Sequence, residues 1–308
     1  MSGNKRINYA CLALAYCNQR PIDGVKSVGL SFSRNISNLY ARGSSSPVAT
    51  YGNLPDIELK YSSHVTNAGF PGFNNEPGLN DFVSFDMLIG SDTAPVLTSV
   101  QKSIRTSYML LSNVTYNLTV DGTFSIDRTF KGWNKTSDCP NNLGRTGSSS
   151  AAILSRAAFS STNSLLPSIL SDTSIQDITV SMSINRSFVN EFATRKPYAS
   201  YITFPIETTC TFNTIITNNL DQFNFNALDT ACKNSALYTQ NITIATCVGP
   251  AITINSAALT SFDYSGAEAQ KDGSNLQLSL TYTGFQSPNG ISPVIYLEDA
   301  DFSTPCGC

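Results

Sequence analysis

Two stretches of this chain are similar to each other: VGLSFSRNISNLYA, from Val28 to Ala41, and VSMSINRSFVNEFA, from Val180 to Ala193. Their aligned residues lie 152 positions apart. A second similar pair, PVATYGNLP (47–55) and PYASYITFP (197–205), follows at a spacing of 150 positions, which predicts that the second copy has lost two loop residues. A repeat this long has the size of a domain and exceeds a solenoid unit. The chain is therefore interpreted as one domain present twice.

The length of 308 residues also agrees with about two domains. We place a first domain at 1–135, a linker and docking segment at 136–172, and a second domain at 173–308. The linker begins with the low-complexity run GRTGSSS (144–150), which is typical of a flexible connection.

The surface of the protein is expected to be polar but weakly charged. Charged residues make up only 13% of the chain, so Ser, Thr and Asn supply much of the polarity. The net charge of −3 argues against a nucleic-acid binder that neutralises phosphates, which needs a basic surface. No apolar run approaches the roughly 18 residues of a membrane span, and the run Ile7–Cys17 is interpreted as a first strand instead of a signal peptide.

Alternating apolar and polar residues predict an all-β fold. Val28, Leu30 and Phe32 alternate with small polar residues, as expected for a half-buried strand. Ile57, Leu59 and Tyr61 predict its partner, and together the two strands are expected to flank a long exposed loop. A short helix per domain is also allowed, with 226–237 as the candidate in the second half.

A second hairpin is predicted near the end of each half. Asp121-Gly122 lies between two alternating runs, and this dipeptide favours a type I′ turn, because both positions tolerate positive φ. Asp272-Gly273 occupies a similar place in the second half. The pairs Gly132-Trp133 and Gly284-Phe285 then close the two domains at a spacing of 152 positions.

No pattern for catalysis or metal binding is present in the sequence. The single histidine, His64, lies at the end of a predicted strand without a nucleophile motif nearby, so it is interpreted as a surface residue. Eight cysteines contain no C-x-x-C pair and are interpreted mainly as reduced thiols, with a disulfide framework as the alternative. We expect no enzyme, no cofactor and no metal site.

The repeated segment resembles the tail tube (major tail) proteins of long-tailed bacteriophages. The second copy shows the pattern P-Y-x-x-Y-x-x-F-P-x-E, and the first copy has a weaker form. The run from Val114 to Phe124 is similar to a Y-x-x-x-V-D-G-x-F pattern of that family. The residues that carry the first pattern are Pro197, Tyr198, Tyr201, Phe204, Pro205 and Glu207, and in the first copy Pro47, Tyr51, Leu54, Pro55 and Glu58.

The resemblance implies two tandem β-sandwich or barrel domains that assemble into rings. Copies would continue one sheet around a lumen, and rings would stack through the long loop into a tube that conducts DNA. With six domains per ring, a duplicated chain would close as a pseudo-hexameric trimer. The implied partners are the chain itself, other tail proteins and passing DNA without sequence-specific contacts, with no membrane. The implied location is the virion, after assembly in the host cytoplasm.

The loops Leu39–Thr50 and Glu191–Ser200 are the expected ring-stacking contacts under this resemblance. Interface cores favour aromatic residues and Arg. The candidate stacking residues are Leu39, Tyr40, Arg42, Tyr51, Phe192, Arg195, Tyr198 and Tyr201.

Two other classes of protein share parts of this pattern. A secreted or surface adhesion module would also combine tandem β-sandwiches with many Thr and Asn residues, but it would need a signal peptide and disulfides. A capsid or decoration protein would share the composition without explaining the paired hairpins. All three interpretations are structural or binding roles.

Charge reversal of the two loop arginines tests the stacking role. In a variant with Arg42→Glu and Arg195→Glu, we expect single rings to form while tubes fail, because repulsion is introduced only between rings. Negative-stain electron microscopy distinguishes the two particles. Tubes of normal length from this variant would contradict a stacking role for these loops.

Overall fold

The computed structural model of this protein describes most of its predicted strands. The described residues are 11–16, 22, 24–34, 36–43, 45–52, 55–65, 83–90, 100–133, 137–139, 153–161, 164–190, 197–216, 240–247, 252–265, 276–286 and 294–296. The helix candidate at 226–237 and the dipeptide Asp272-Gly273 lie outside them.

Strands dominate the described residues, which confirms the all-β class. The described residues also include two short 3₁₀ turns, Arg156–Ala158 and Ser168–Asp172, and no α-helix. The strands are β1 (Cys11–Tyr16), β2 (Val25–Ser33), β3 (Ile36–Tyr40), β4 (Pro47–Gly52), β5 (Asp56–His64), β6 (Val83–Gly90), β7 (Val100–Thr119), β8 (Ser125–Gly132), β9 (Ser137–Cys139), β10 (Thr173–Ser183), β11 (Arg186–Asn190), β12 (Pro197–Ile202), β13 (Ile206–Ile216), β14 (Gln240–Ile244), β15 (Ile252–Ser265), β16 (Gln277–Gln286) and β17 (Val294–Tyr296).

One antiparallel sheet runs through both halves of the chain. Its strand order is β2-β5-β8-β7-β10-β13-β16-β15-β14. The path passes from the first half to the second at β7 and β10, where Val114 lies opposite Met182 and Tyr116 lies opposite Val180. β6 pairs with the N-terminal part of β7, and β1 pairs with β6. The two halves therefore share one sheet instead of forming separate ones.

The structure repeats the same strand arrangement in each half. The order β2-β5-β8-β7 returns as β10-β13-β16-β15. The long strands β7 and β15 share two irregularities 148 positions apart: a positive φ at Tyr108 (56°) and Ser256 (51°), and a bulge after Leu111 and after Leu259. Because side-chain-bearing residues rarely adopt positive φ, a shared irregularity at the same place indicates equivalent strands.

The spacing between equivalent residues of the β3–β4 and β11–β12 hairpins differs from the spacing inferred from sequence similarity. The β3–β4 pairing shifts register between Leu39 and Tyr40, and the β11–β12 pairing shifts between Val189 and Asn190, 150 positions later. The connections 41–46 and 191–196 are therefore equal in length, and the expected loss of two loop residues is wrong. The alignment failed because side-chain matches such as Arg34 with Arg186 do not fix which backbone positions are equivalent.

The structure adds to one hairpin prediction and corrects another. β2 pairs with β5 as expected, and the exposed segment between them is itself a hairpin, formed by β3 and β4. The β7–β8 hairpin exists, but neither Asp121 nor Gly122 has positive φ, so its connection is not a type I′ turn. The N–H of Val120 instead donates to the carbonyl of Gln176 on β10, 2.9 Å away. This tertiary contact overrides the local preference of Asp-Gly for a type I′ turn.

The first half is built around buried aromatic rings. Phe85 and Phe130 meet edge to face at 4.8 Å, and Tyr61 stacks on Phe130 at 6.1 Å. The guanidinium of Arg128, also buried, lies over the Tyr61 ring at 5.6 Å. Such a cation–π contact offsets part of the cost of burying a charge.

An ion pair is buried where β6 meets β7. The Arg105 guanidinium donates two hydrogen bonds to the Asp86 carboxylate, at 2.6 and 2.9 Å. Both side chains are almost fully buried. The two-point contact fixes β6 against β7, and removing either partner would leave an uncompensated charge in the core.

The apolar part of the linker packs on its own chain. The N–H of Leu154 donates to the carbonyl of Val65, and its carbonyl accepts from the N–H of Phe124. Further along, Leu165 forms a two-way backbone bridge with Thr243 on β14. The segment therefore connects the first half to the outer strand of the second half.

Gly132 allows two strands to approach closely. A Cβ atom there would lie 2.6 Å from Met109 Sδ and 3.1 Å from the carbonyl oxygen of Tyr108. Gly284 is crowded in the same way in the second half, at 2.6 Å from Ile254 Cγ2 and 3.1 Å from the carbonyl oxygen of Asn255.

We expect Gly132→Ala to lower the free energy of unfolding by about 1–3 kcal/mol, because the added methyl overpacks the site. Gly29→Ala on β2 is the matched control, since nothing lies within 4 Å of its Cβ position. Urea unfolding of both variants measures the difference. Equal stability of the two variants would contradict the close approach at Gly132.

Candidate assembly surface

The continuous sheet has one face made largely of hydroxyl and amide side chains. Across the junction of the two halves, Thr115 Oγ1 lies 3.3 Å from Ser181 Oγ, and the Thr211 and Thr281 hydroxyls lie 3.2 Å apart further along. Asn117 donates to the Asp127 carboxylate at 2.9 Å. The residues that share this face include Asn113, Thr115, Asn117, Thr179, Ser181, Ser183, Thr209, Thr211, Asn213, Ser279, Thr281 and Thr283.

Carboxylates outnumber amines on this polar face within the described residues. The Lys60 amine contacts the Glu58 carboxylate at 2.7 Å, so one lysine is already paired. The acidic residues are Asp56, Glu58, Asp127, Asp177, Glu207 and Asp263, and the basic ones are Lys60 and Lys131. The face is therefore polar and slightly acidic, which does not attract phosphate strongly.

The opposite face of the sheet carries the core. Ile178 and Val180 on β10 lie in one apolar cluster with Tyr116 and Leu118 on β7, although these strands belong to different halves. Side chains alternate between faces along every strand. The pairing at β7–β10 therefore aligns both the cores and the polar faces of the two halves.

Each end of the sheet has a strand with one unpaired edge in the described residues. Among the described strands, β2 pairs with β5 alone. On β15, residues 252–257 pair with β14 on the outer side, whereas residues 258–265 pair, within the described part of the chain, with β16 alone. We call residues 258–265 the free half of β15. The equivalent part of β7 pairs with β10 of the same chain. The free half of β15 therefore corresponds to an edge that is already paired in the first half.

Large apolar side chains are exposed on both of these edges. Phe32 on β2 is 57% exposed and Tyr264 on β15 is 39% exposed. Phe262 contacts Tyr264 edge to face at 5.6 Å. Partial burial raises the pKa of Tyr264 above its ordinary value. Unpaired apolar edges invite strand addition and are usually covered.

The two hairpins that project from the sheet have different environments. We name the β3–β4 hairpin the first arm and the β11–β12 hairpin the second arm. In the second arm, β12 gains a third strand, β17, and Phe188 meets Trp133 of the first half at a ring distance of 4.3 Å. Ile202, together with Ile184 beside the arm, packs into the core cluster of the first half.

The first arm has no such cover in the described residues. Ile36 is 67% exposed, and Val48, Leu39 and Tyr40 are at least half exposed. The position equivalent to Ile36 in the second arm is Arg186, which is partly buried, and this burial lowers its pKa to about 10. The second arm therefore shows how an arm packs on a neighbouring unit, and the first arm has an apolar surface left over.

The structure brings some of the candidate stacking residues together and separates others. Leu39, Tyr40 and Arg42 lie at the exposed tip of the first arm. Tyr51 lies on β4 opposite Ser37. On the second arm, Tyr198 and Tyr201 lie on β12 and are half-buried, while Phe192 and Arg195 lie outside the described residues.

Sequence reasoning missed the edge residues Phe32, Phe262 and Tyr264 as surface candidates. Phe32 was expected to face a core because it alternates with Gly29, Ser31 and Ser33. The run Ser-Phe-Asp-Tyr-Ser (261–265) carries the same alternating signal. Alternation identifies a strand face, but it does not say whether the next strand belongs to the same chain.

The described residues contain no group of three or more His, Cys, Asp or Glu side chains that could hold a metal ion. His64 Nδ1 lies 2.8 Å from the Thr123 hydroxyl, and its pKa is lowered by partial burial and by Lys26. Burial raises the pKa of the Cys210 thiol to about 12, so it is a packing group and not a nucleophile. None of the described helical turns has the length and apolarity needed to cross a membrane.

No family model matches this chain, and no curated protein matches it.

Proposed function

We propose that this protein is a structural virion protein that assembles into rings and stacks them into the tail tube of a long-tailed bacteriophage. The observation that supports this best is the junction between β7 and β10, because it joins two copies of one unit side by side in a single sheet. The two strands that leave an edge unpaired among the described residues, β2 along its length and β15 in its second half, are the equivalents of β10 and β7, the two strands at the junction. Adding chains end to end therefore repeats a contact that the chain already makes.

Closure of such an array into a ring removes the exposed edges. A contact that uses a different surface on each partner generates a ring if the rotation closes and a filament if it does not. Edge strands with exposed apolar side chains are a hazard unless they are paired. For a ring of six units, three duplicated chains suffice, so we propose a pseudo-hexameric trimer.

The polar face of the sheet suits the inner wall of a DNA conduit. Hydroxyl and amide side chains keep this face wet, and its slight acidity prevents tight binding of phosphates. DNA would slide past such a wall without sequence-specific contacts. The core face and the arms then lie outside the lumen.

Ring stacking is assigned to the tips of the arms. The first arm ends in an exposed turn that contains Arg42, next to Tyr40. Aromatic residues and Arg are enriched in interface cores. The proposed partners are further copies of this chain, other tail proteins and the DNA in the lumen, and the proposed location is the virion after assembly in the host cytoplasm.

Electron microscopy and light scattering of the purified protein test this proposal. We expect hollow tubes or three-chain rings, with more assembly at higher protein concentration. A monomer that never assembles and whose cysteines are oxidised would contradict it and favour a secreted adhesion module instead. Closed shells would favour a capsid role.

Substitution of an edge residue gives a second test. We expect Phe32→Ser to reduce assembly at least tenfold while leaving the monomer folded, because the side chain is more than half exposed in the isolated chain. Ile153→Ser is the matched control, since Ile153 is also a large apolar residue, 48% exposed, but lies in the segment between the two halves, outside both edges and both arms. Assembly is measured by sedimentation, and folding by urea unfolding. Normal assembly of the Phe32 variant would argue against edge pairing.

A further inference from the structure

We propose that the β2 edge of one chain pairs with the free half of β15 of a second copy, in the same register as the β7–β10 junction. The inference rests on the proposed self-assembly and adds to it a defined set of residue contacts. The partner at each edge is a second copy of this chain. This follows because each of the two edge strands is equivalent to a strand that already pairs at the β7–β10 junction.

The internal junction supplies the register. There, Val114 lies opposite Met182, Thr115 opposite Ser181, and Tyr116 opposite Val180. Residues of β10 correspond to those of β2 at 150 positions earlier, as the bulges after Val25 and after Ile175 show. Residues of β7 correspond to those of β15 at 148 positions later, as the bulges after Leu111 and after Leu259 show.

Applying these two spacings gives the contacts between copies. Phe262 would lie opposite Phe32, Asp263 opposite Ser31, and Tyr264 opposite Leu30. Each of the two exposed rings, Phe32 and Tyr264, would therefore have an apolar residue of the other copy opposite it.

The pairing also preserves both faces of the sheet. Phe32, Phe262 and Tyr264 would extend the core face, and Ser31 and Asp263 would extend the polar face. At the internal junction the corresponding polar pair is Thr115 with Ser181, whose hydroxyls lie 3.3 Å apart. A slip by one residue would set Phe32 opposite Asp263 and put apolar side chains on the wet face.

The first arm supports the same placement. At the internal junction the N–H of Ile184, just after β10, donates to the carbonyl of Ser112 at 2.9 Å. The equivalent donor and acceptor between copies are the N–H of Arg34 and the carbonyl of Thr260. The exposed first arm would then lie over the second half of the neighbour, as the second arm lies over the first half of its own chain.

Engineered cysteines test the register. One chain carries Ser31→Cys and another carries Asp263→Cys, and both carry Cys247→Ser because Cys247 is exposed. Opposite residues in a sheet are close enough for a disulfide, whereas residues two positions out of register lie roughly 7–8 Å apart. Leu30→Cys with Tyr264→Cys is tested in parallel, because adjacent pairs alternate between the wider and the closer spacing and this pair leaves Phe32 and Phe262 in place.

We expect a covalent dimer when the two variants are mixed and oxidised, and at least tenfold less from either variant alone. Ser33→Cys mixed with Asp263→Cys is the out-of-register control and should react at least tenfold less. A chain with both Ser31→Cys and Asp263→Cys should give a ladder that ends at the closed ring. Non-reducing gels measure all of these products.

The outcomes separate this inference from the proposed function. If rings or tubes form but neither in-register pair cross-links, the register is wrong and the proposed function stands. Cross-linking of Ser31→Cys alone would indicate a symmetric β2–β2 contact and would also overturn the register. If no particle forms with the unmodified chain, both proposals fail.

Discussion

The backbone hydrogen bonds between β7 and β10 are the contact on which the rest of the structure depends. They turn two duplicated units into one sheet, and they hold β10 so that the second arm reaches the core of the first half. They also align the apolar residues of both units on one face and the polar residues on the other. A slip of one residue would exchange the faces, so side-chain burial fixes the register as firmly as the hydrogen bonds do.

The two arms show how duplicated elements acquire different roles. The second arm has an apolar contact with Trp133 and a third strand, so much of its surface is covered within the chain. The first arm keeps its exposed Ile36 and Val48. The connecting loops of the two arms are equal in length. The arms therefore differ in what surrounds them and not in loop length.

Local patterns predicted the strands well and their neighbours poorly. Alternation identified β2 through Val28 and Leu30, and β5 through Ile57, because it reports which residues share a face. It could not report which strand lies alongside, and for that reason Phe32 was mistaken for a core residue. The Asp121-Gly122 turn failed for a similar reason, since a hydrogen bond from Val120 to a distant strand outweighed the local preference.

The candidate site was predictable only in part. Aromatic and arginine residues near a long connection pointed to the first arm, where Tyr40 and Arg42 are exposed. The edge residues Phe262 and Tyr264 were not found, because a free edge is a property of the whole sheet. The spacing of the repeat was also misjudged, since side-chain similarity does not determine backbone equivalence, whereas shared bulges do.

The tandem arrangement of the two units has a consequence for mass action. A junction within a chain forms when the chain folds, and it does not depend on protein concentration. In the proposed ring, half of the side-by-side junctions are of this kind, so only the other half requires encounters between molecules. Tethering replaces a bulk concentration with a high effective one. Duplication would thus let a ring nucleate at a lower subunit concentration than one built from single units.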